Sequence, residues 1–94
     1  NKNLIMEWII ELHSDAVKFL NKRIISENDL KEIITKALRK FKGEDINIDI
    51  DKLKGNWQGF YRIKVGKMRL IIYFDFDDKR VFVRSIEFRG RVYK

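Results

Sequence analysis

Arg62, Lys64 and Arg69 are the residues of this chain best able to do chemistry together. Arg62 and Lys64 lie two apart in a stretch that alternates with period two, so in a strand they share one face. Gly66-Lys67 follows and reads as a tight turn, which brings Arg69 back alongside them. Arg89 and Arg91 end a later strand, and Tyr93 comes just after it. Such a set can surround one phosphate group. Guanidinium forks match phosphate oxygens, and a Lys amine or Tyr hydroxyl is a candidate for moving a proton. Glu87, beside Arg89, reads as an ion-pair partner in preference to a general base.

A second group lies just upstream. Lys52 and Lys54 flank Leu53 ahead of the flexible Gly55 and suit an RNA backbone. Trp57, Phe60 and Tyr61 sit among these cations, where a base could stack. A core role is expected for Phe60 or Tyr61, and an exposed ring for Trp57. Arg84 and Arg91 add cations to the last strand and its end. The competing reading is a solvated sheet face whose Lys and Arg serve solubility. That reading expects interspersed acids, and none lies between Lys52 and Leu70.

The charge distribution favours the anion-binding reading. Residues 52–94 hold 12 basic and 4 acidic side chains, whereas the first 51 residues hold 9 and 10. The whole excess of the chain's +7 therefore sits in the last block. A basic sheet face is an electrostatic platform for a polyanion such as nucleic acid.

Other chemistries are poorly supplied. There is no cysteine, which excludes disulfides and thiolate metal sites. His13 is the only histidine and precedes a helix start, where a turn or second-cap role is expected. Paired-histidine catalysis is thus excluded, and no metal motif, Gly-rich phosphate loop or Ser/His/Asp set is present. The expectation is no cofactor and no metal. Apolar runs fall far short of the roughly 20 residues that span a bilayer. Residues 1–5 are too short and polar for a signal peptide and read as an extension before the first strand. A cytoplasmic protein with no membrane partner is expected.

The elements that must position these residues form one domain over 1–94, a length that supports one small core. Residues 6–12 read as a strand. A helix is expected over 14–24 with Ser14 as its N-cap. Ser26 and Asp29 give the start signal of a second helix, along which Leu30, Ile33, Ile34, Ala37, Leu38 and Phe41 recur on one face. Residues 44–51 alternate acids or polar residues with Ile46, Ile48 and Ile50, and are read as a connector in preference to an edge strand. Strands follow at 60–65, 68–75 and 80–88. The fold class is α+β, order β-α-α-β-β-β: a two-helix hairpin on one face of an antiparallel sheet, the other face open.

These residues, in this order, resemble the RelE/ParE toxin superfamily. The likeness rests on L-K-G at 53–55, Y-R-I-K-V-G-x-x-R-L-I-I-Y at 61–73, and R-x-x-V-Y at 89–93. The resemblance implies a small basic ribonuclease of a type II toxin–antitoxin module, of the RelE branch, which cuts mRNA in the ribosomal A site without a metal. It implies catalytic roles for Arg62, Lys64, Arg69, Arg89 and Tyr93. It also implies partners: the ribosome, mRNA and a cognate RelB-like antitoxin in a hetero-oligomer. The chain departs from the pattern in three places. Arg62 stands where the best-known branch often has Lys, and cannot act as a base. Phe88 stands where many relatives have His. Arg91 could take the role given to Arg89. Two other readings remain open: a ParE-like inhibitor of DNA gyrase without nuclease activity, and a non-catalytic RNA-binding module.

Overall fold

The structure is a computed structural model that describes residues 7–22 and 25–88. The chain enters through strand β1 (Ile9–Leu12) and continues into helix α1 (Ser14–Asn21). The cap of α1 is His13 and not Ser14. His13 is extended at φ −70, ψ 154, and its Nδ1 accepts the Asp15 N–H at 3.1 Å. The expected cap role of His13 is thus observed. Ser14 lies one residue inside, where its backbone is already helical.

Helix α2 (Glu27–Phe41) starts on the expected capping box. Asp29 N–H donates to Ser26 Oγ at 3.0 Å, and Ser26 N–H donates to the Asp29 carboxylate at 3.3 Å. Two otherwise orphaned helix donors are satisfied together. The apolar stripe is buried at Leu30, Ile33, Ile34, Ala37 and Leu38.

Residues 44–51 are not a plain connector. Asp49–Lys52 forms strand β2, which pairs antiparallel with β3 (Phe60–Val65). Ile50 sits opposite Ile63 on the core side, while Asp49 and Asp51 turn outward opposite Lys64 and Arg62. Acids are poor strand formers by themselves. Here their cross-strand partners are cations, and opposite charges facing across a ladder stabilise the pair.

Strands β4 (Met68–Asp75) and β5 (Arg80–Phe88) complete the expected meander. Gly66, at φ 61, takes the first central position of the two-residue β3–β4 turn, where a primed hairpin turn needs positive φ. At the β4–β5 turn the Asp75 carboxylate accepts the N–H groups of Asp77 and Asp78 at 3.1 and 3.2 Å. The sheet order is β1-β5-β4-β3-β2. One feature departs from an all-antiparallel sheet: β1 runs parallel to β5. Alternation sets which side chains face inward but carries no direction, so a four-residue edge strand can pair either way. In β5 the register shifts by one residue opposite Ile71/Ile72, which leaves Arg84 as the extra residue of a bulge.

The protein is α+β, with its core between the helices and one sheet face. Ile63, Leu70, Ile72, Val81 and Val83 are wholly buried there with Ile34, Ala16 and Ala37. No helix among the described residues is long and apolar enough to cross a membrane.

Leu70→Ala should lower the unfolding free energy by about 2–5 kcal/mol, because it empties a fully buried site. Ser26→Ala should cost only about 0.5–2 kcal/mol, the value of one helix cap. Urea titrations followed by circular dichroism read both. A Leu70→Ala loss no larger than that of Ser26→Ala would contradict the assigned β4 register.

Candidate nucleic-acid interface

Burial on β3 and β4 alternates, and the helices occupy the side of Ile63, Leu70 and Ile72. Arg62, Lys64, Arg69, Ile71 and Tyr73 therefore stand on the opposite face. The ladder arranges them in rows across the strands. One row reads Asp49, Lys64, Arg69, Glu87. The next reads Asp51, Arg62, Ile71, Ser85, and the third carries Phe60, Tyr73 and Phe82. Three of the five expected catalytic residues, Arg62, Lys64 and Arg69, are thus brought together. Arg89 and Tyr93 lie outside the described residues, as does Arg91.

Two features of this cluster suit an anion. Lys64 and Arg69 are directly opposed cations, a pairing that destabilises a sheet by itself. Neither is ion-paired among the described residues. In addition, the Nε–H donors of Arg62 and Arg69 are buried and have no acceptor among the described residues. Buried donors without a partner are rare and costly, and a phosphate oxygen is a strong charge-assisted acceptor for them.

A third feature acts against them. The local absence of acids in residues 52–70 does not survive folding. Asp49, Asp51 and Glu87 come in from neighbouring strands, one opposite each cation. Asp51 binds the Arg62 guanidinium at 3.2 Å. Elsewhere on the sheet, Arg80 pairs with Glu11 at 2.7 Å. Arg84 binds Asp15 at 3.2 Å and approaches His13 Nδ1 at 3.4 Å. The face is closer to charge-balanced than the block count implies. The acids of β1, β2 and the start of α1 belong to the first 51 residues, and only folding places them here.

The second group divides. Lys52 pairs with Tyr61 in the register of the core-side residues, away from Arg62 and Lys64. Lys54 precedes a single 3₁₀ turn, Gly55–Trp57. Trp57 is exposed, as expected. It packs edge-on against Phe60 at 5.2 Å, and Phe60 lies 5.3 Å from Tyr73. Tyr61 takes the core-side position, against Phe41 at 5.0 Å and Phe74 at 5.8 Å. Phe60 stays on the outer face. Tyr73 escaped sequence reasoning, although its place in the alternation of β4 signalled an outward ring. No group of three His, Asp or Glu that could hold a metal occurs among the described residues.

No protein-family model matches the chain, and no curated protein matches it in sequence. Solved structures do match its fold. The archaeal RelE–RelB complex of Pyrococcus horikoshii aligns over 92% of this chain and 99% of that one, at 22% identity and a TM-score of 0.56. The YoeB dimer of Staphylococcus aureus aligns over 89% and 99%, at 17% identity and a TM-score of 0.60. YafQ of Escherichia coli aligns over 93% and 99%, at 19% identity and a TM-score of 0.61. The chain has the fold of these RelE, YoeB and YafQ structures.

Proposed function

We propose that the chain is the toxin of a type II toxin–antitoxin module, and that it is an endoribonuclease cleaving mRNA in the ribosomal A site. The observation that carries this reading is the Arg62, Lys64, Arg69 cluster, with two buried guanidinium donors that have no acceptor among the described residues. The fold neighbours support the module. They include a RelE–RelB complex and a YoeB–YefM toxin–antitoxin complex. A cognate antitoxin is accordingly the proposed partner of this chain, in a hetero-oligomer, and the cytoplasm is its proposed place of action.

The proposed step uses side chains and the substrate's own 2′-OH, with no metal required. Lys64 or Tyr93 takes the 2′ proton. O2′ then attacks the adjacent phosphorus, the P–O5′ bond breaks, and the departing O5′ takes a proton from water. The products are a 2′,3′-cyclic phosphate and a 5′-OH end. Arg62, Arg69 and Arg89 hold the charge that develops on the phosphorane oxygens. Lys and Tyr side chains in water both titrate at about pH 10, far from the ideal for a base at neutral pH. Orientation of the strand by the ribosome supplies rate that the base set lacks, and alignment of this kind is worth several kcal/mol.

The acids facing each cation favour a second reading. Carboxylates that compete with phosphate for Arg62 weaken the hold of a phosphate-cleaving site on its substrate. A ParE-like inhibitor that binds DNA gyrase, without nuclease activity, needs no such phosphate site.

Primer extension on mRNA under translation in a cell-free system separates the two. The expected result is cuts within codons at the A site, weakened about 100- to 1,000-fold in Lys64→Ala, Arg69→Ala and Tyr93→Phe. Intact mRNA with inhibited supercoiling by gyrase would transfer the chain to the second reading. A further outcome concerns Asp51. Asp51→Asn removes the carboxylate held by Arg62, so affinity for a single-stranded oligonucleotide should rise. The slope of log affinity against log salt should steepen by about one phosphate contact, roughly 0.7. An unchanged slope would show that Arg62 does not reach phosphate.

A further inference from the structure

The end of the sheet beside the cation rows is hollowed. A cleft of about 320 Å³ opens where β2 ends, β3 begins and β4 leaves the sheet. That volume is at the lower end of small-ligand pockets. Its walls include the rings of Tyr61, Tyr73 and Phe76, with Gln58, Gly59 and Lys52 at the rim. Tyr73 and Phe76 are 38% and 50% exposed, a large aromatic surface to leave open to water.

Gly59 builds part of this shape. It sits at φ 95, and a Cβ there would come within 2.7 Å of Tyr73 Cε1. Only glycine lets the backbone lie flat against that ring. The polar groups suit one ligand chemistry. The Gln58 amide offers donors and an acceptor side by side, as the edge of a base requires. Lys52 has no acidic partner among the described residues, unlike Arg62, Arg80 and Arg84. Aromatic walls, an amide and a free cation match a planar heteroaromatic ring carrying a phosphate. The cleft lies at the sheet end and meets the outer face at Tyr73, which belongs to the third row. Tyr73 is four residues along β4 from Arg69, about 13 Å, a span that a short stretch of extended single strand covers.

We propose that this cleft binds one unpaired nucleobase, stacked on Tyr73 and Phe76 with its phosphate on Lys52. The inference rests on the RNA reading above for its source of bases, a strand crossing the Lys64–Arg69 row. A free mononucleotide carries the same chemistry.

The test uses the full chain and a 2′-O-methylated RNA oligonucleotide, which cannot undergo 2′-OH attack. Affinity is read by fluorescence anisotropy while an abasic site is moved along the strand. A second arm titrates the four nucleoside 5′-monophosphates and follows the Gly59 amide by NMR. We expect one abasic position to weaken binding about 5- to 150-fold in the native chain, the usual range for losing one stacked base. That penalty should vanish in Tyr73→Leu and shrink in Gln58→Ala, a change on an exposed loop that leaves the core intact. Mononucleotide shifts at Gly59, abolished by Tyr73→Leu, with a flat abasic scan would support the cleft as a site for free nucleotide. Salt-dependent oligonucleotide binding with a flat scan and no mononucleotide shift overturns the cleft and leaves the RNA reading standing. A cleft filled by a protein side chain gives that same pattern. No oligonucleotide binding at low salt, together with mononucleotide shifts at Gly59, sinks the RNA reading and keeps the cleft.

Discussion

The pairing of β3 with β4 decides what this surface is. Side chains alternate between faces along a strand, so a slip of one residue exchanges the two faces completely. In the observed register Ile63 meets Leu70 and Lys64 meets Arg69. A slip of β3 against β4 would drive Arg62 and Lys64 under the helices and expose Ile63. The cost of burying two unpaired cations excludes that arrangement. The turn at Gly66 pins the same register from the other side, since a two-residue connection leaves no slack. Hydrophobic burial thus forces a cluster of like charge onto one patch. That patch has to be stabilised from outside the hairpin.

Strand β2 does much of that stabilising. It is short and lies at the sheet edge, and its outward residues are both aspartates. Glu87 on β5 faces the patch from the other side, opposite Arg69. Lys64 and Arg69 repel each other, and each has a carboxylate-bearing neighbour further along the same row. The arrangement moderates the repulsion without closing an ion pair on either residue among the described residues. Arg62 differs, because Asp51 holds it at 3.2 Å. The three cations are therefore unequal: one is held by an acid, and two remain open to an incoming anion.

Much of this was legible in the sequence, and the rest was hidden for identifiable reasons. The α2 capping box, the meander and the outward set Arg62, Lys64 and Arg69 follow from local pattern, and all are observed. The edge strand β2 was read as a connector because its alternation carries acids, and acids lower strand propensity. What makes Asp49 and Asp51 acceptable is a partner, 15 and 11 residues further along the chain respectively, with no local signature. The charge balance of the face was hidden for the same reason. Glu11, Asp15, Asp49 and Asp51 are distant in sequence from the cations they meet. The parallel pairing of β1 with β5 lies beyond any period-two pattern. The bulge at Arg84 is also unsigned in sequence, although it aims that residue at Asp15 and His13. The sites expected at Arg89, Arg91 and Tyr93 lie outside the described residues.

The balanced face bears on how the proposed nuclease would choose its substrate. Non-specific affinity for RNA grows with the number of phosphates that cations neutralise. Each cation already matched by an acid contributes less to that number. A surface with few open cations binds free RNA weakly, even on a chain of net charge +7. Weak intrinsic affinity is a liability for a general ribonuclease. For an enzyme that acts only where another assembly presents the strand, it is a source of selectivity. Binding energy then comes from the presenting assembly, and the two open cations are reserved for the phosphate that reacts. Within the proposed function, the acids that look like competitors for phosphate restrict cleavage to RNA that is already held in place.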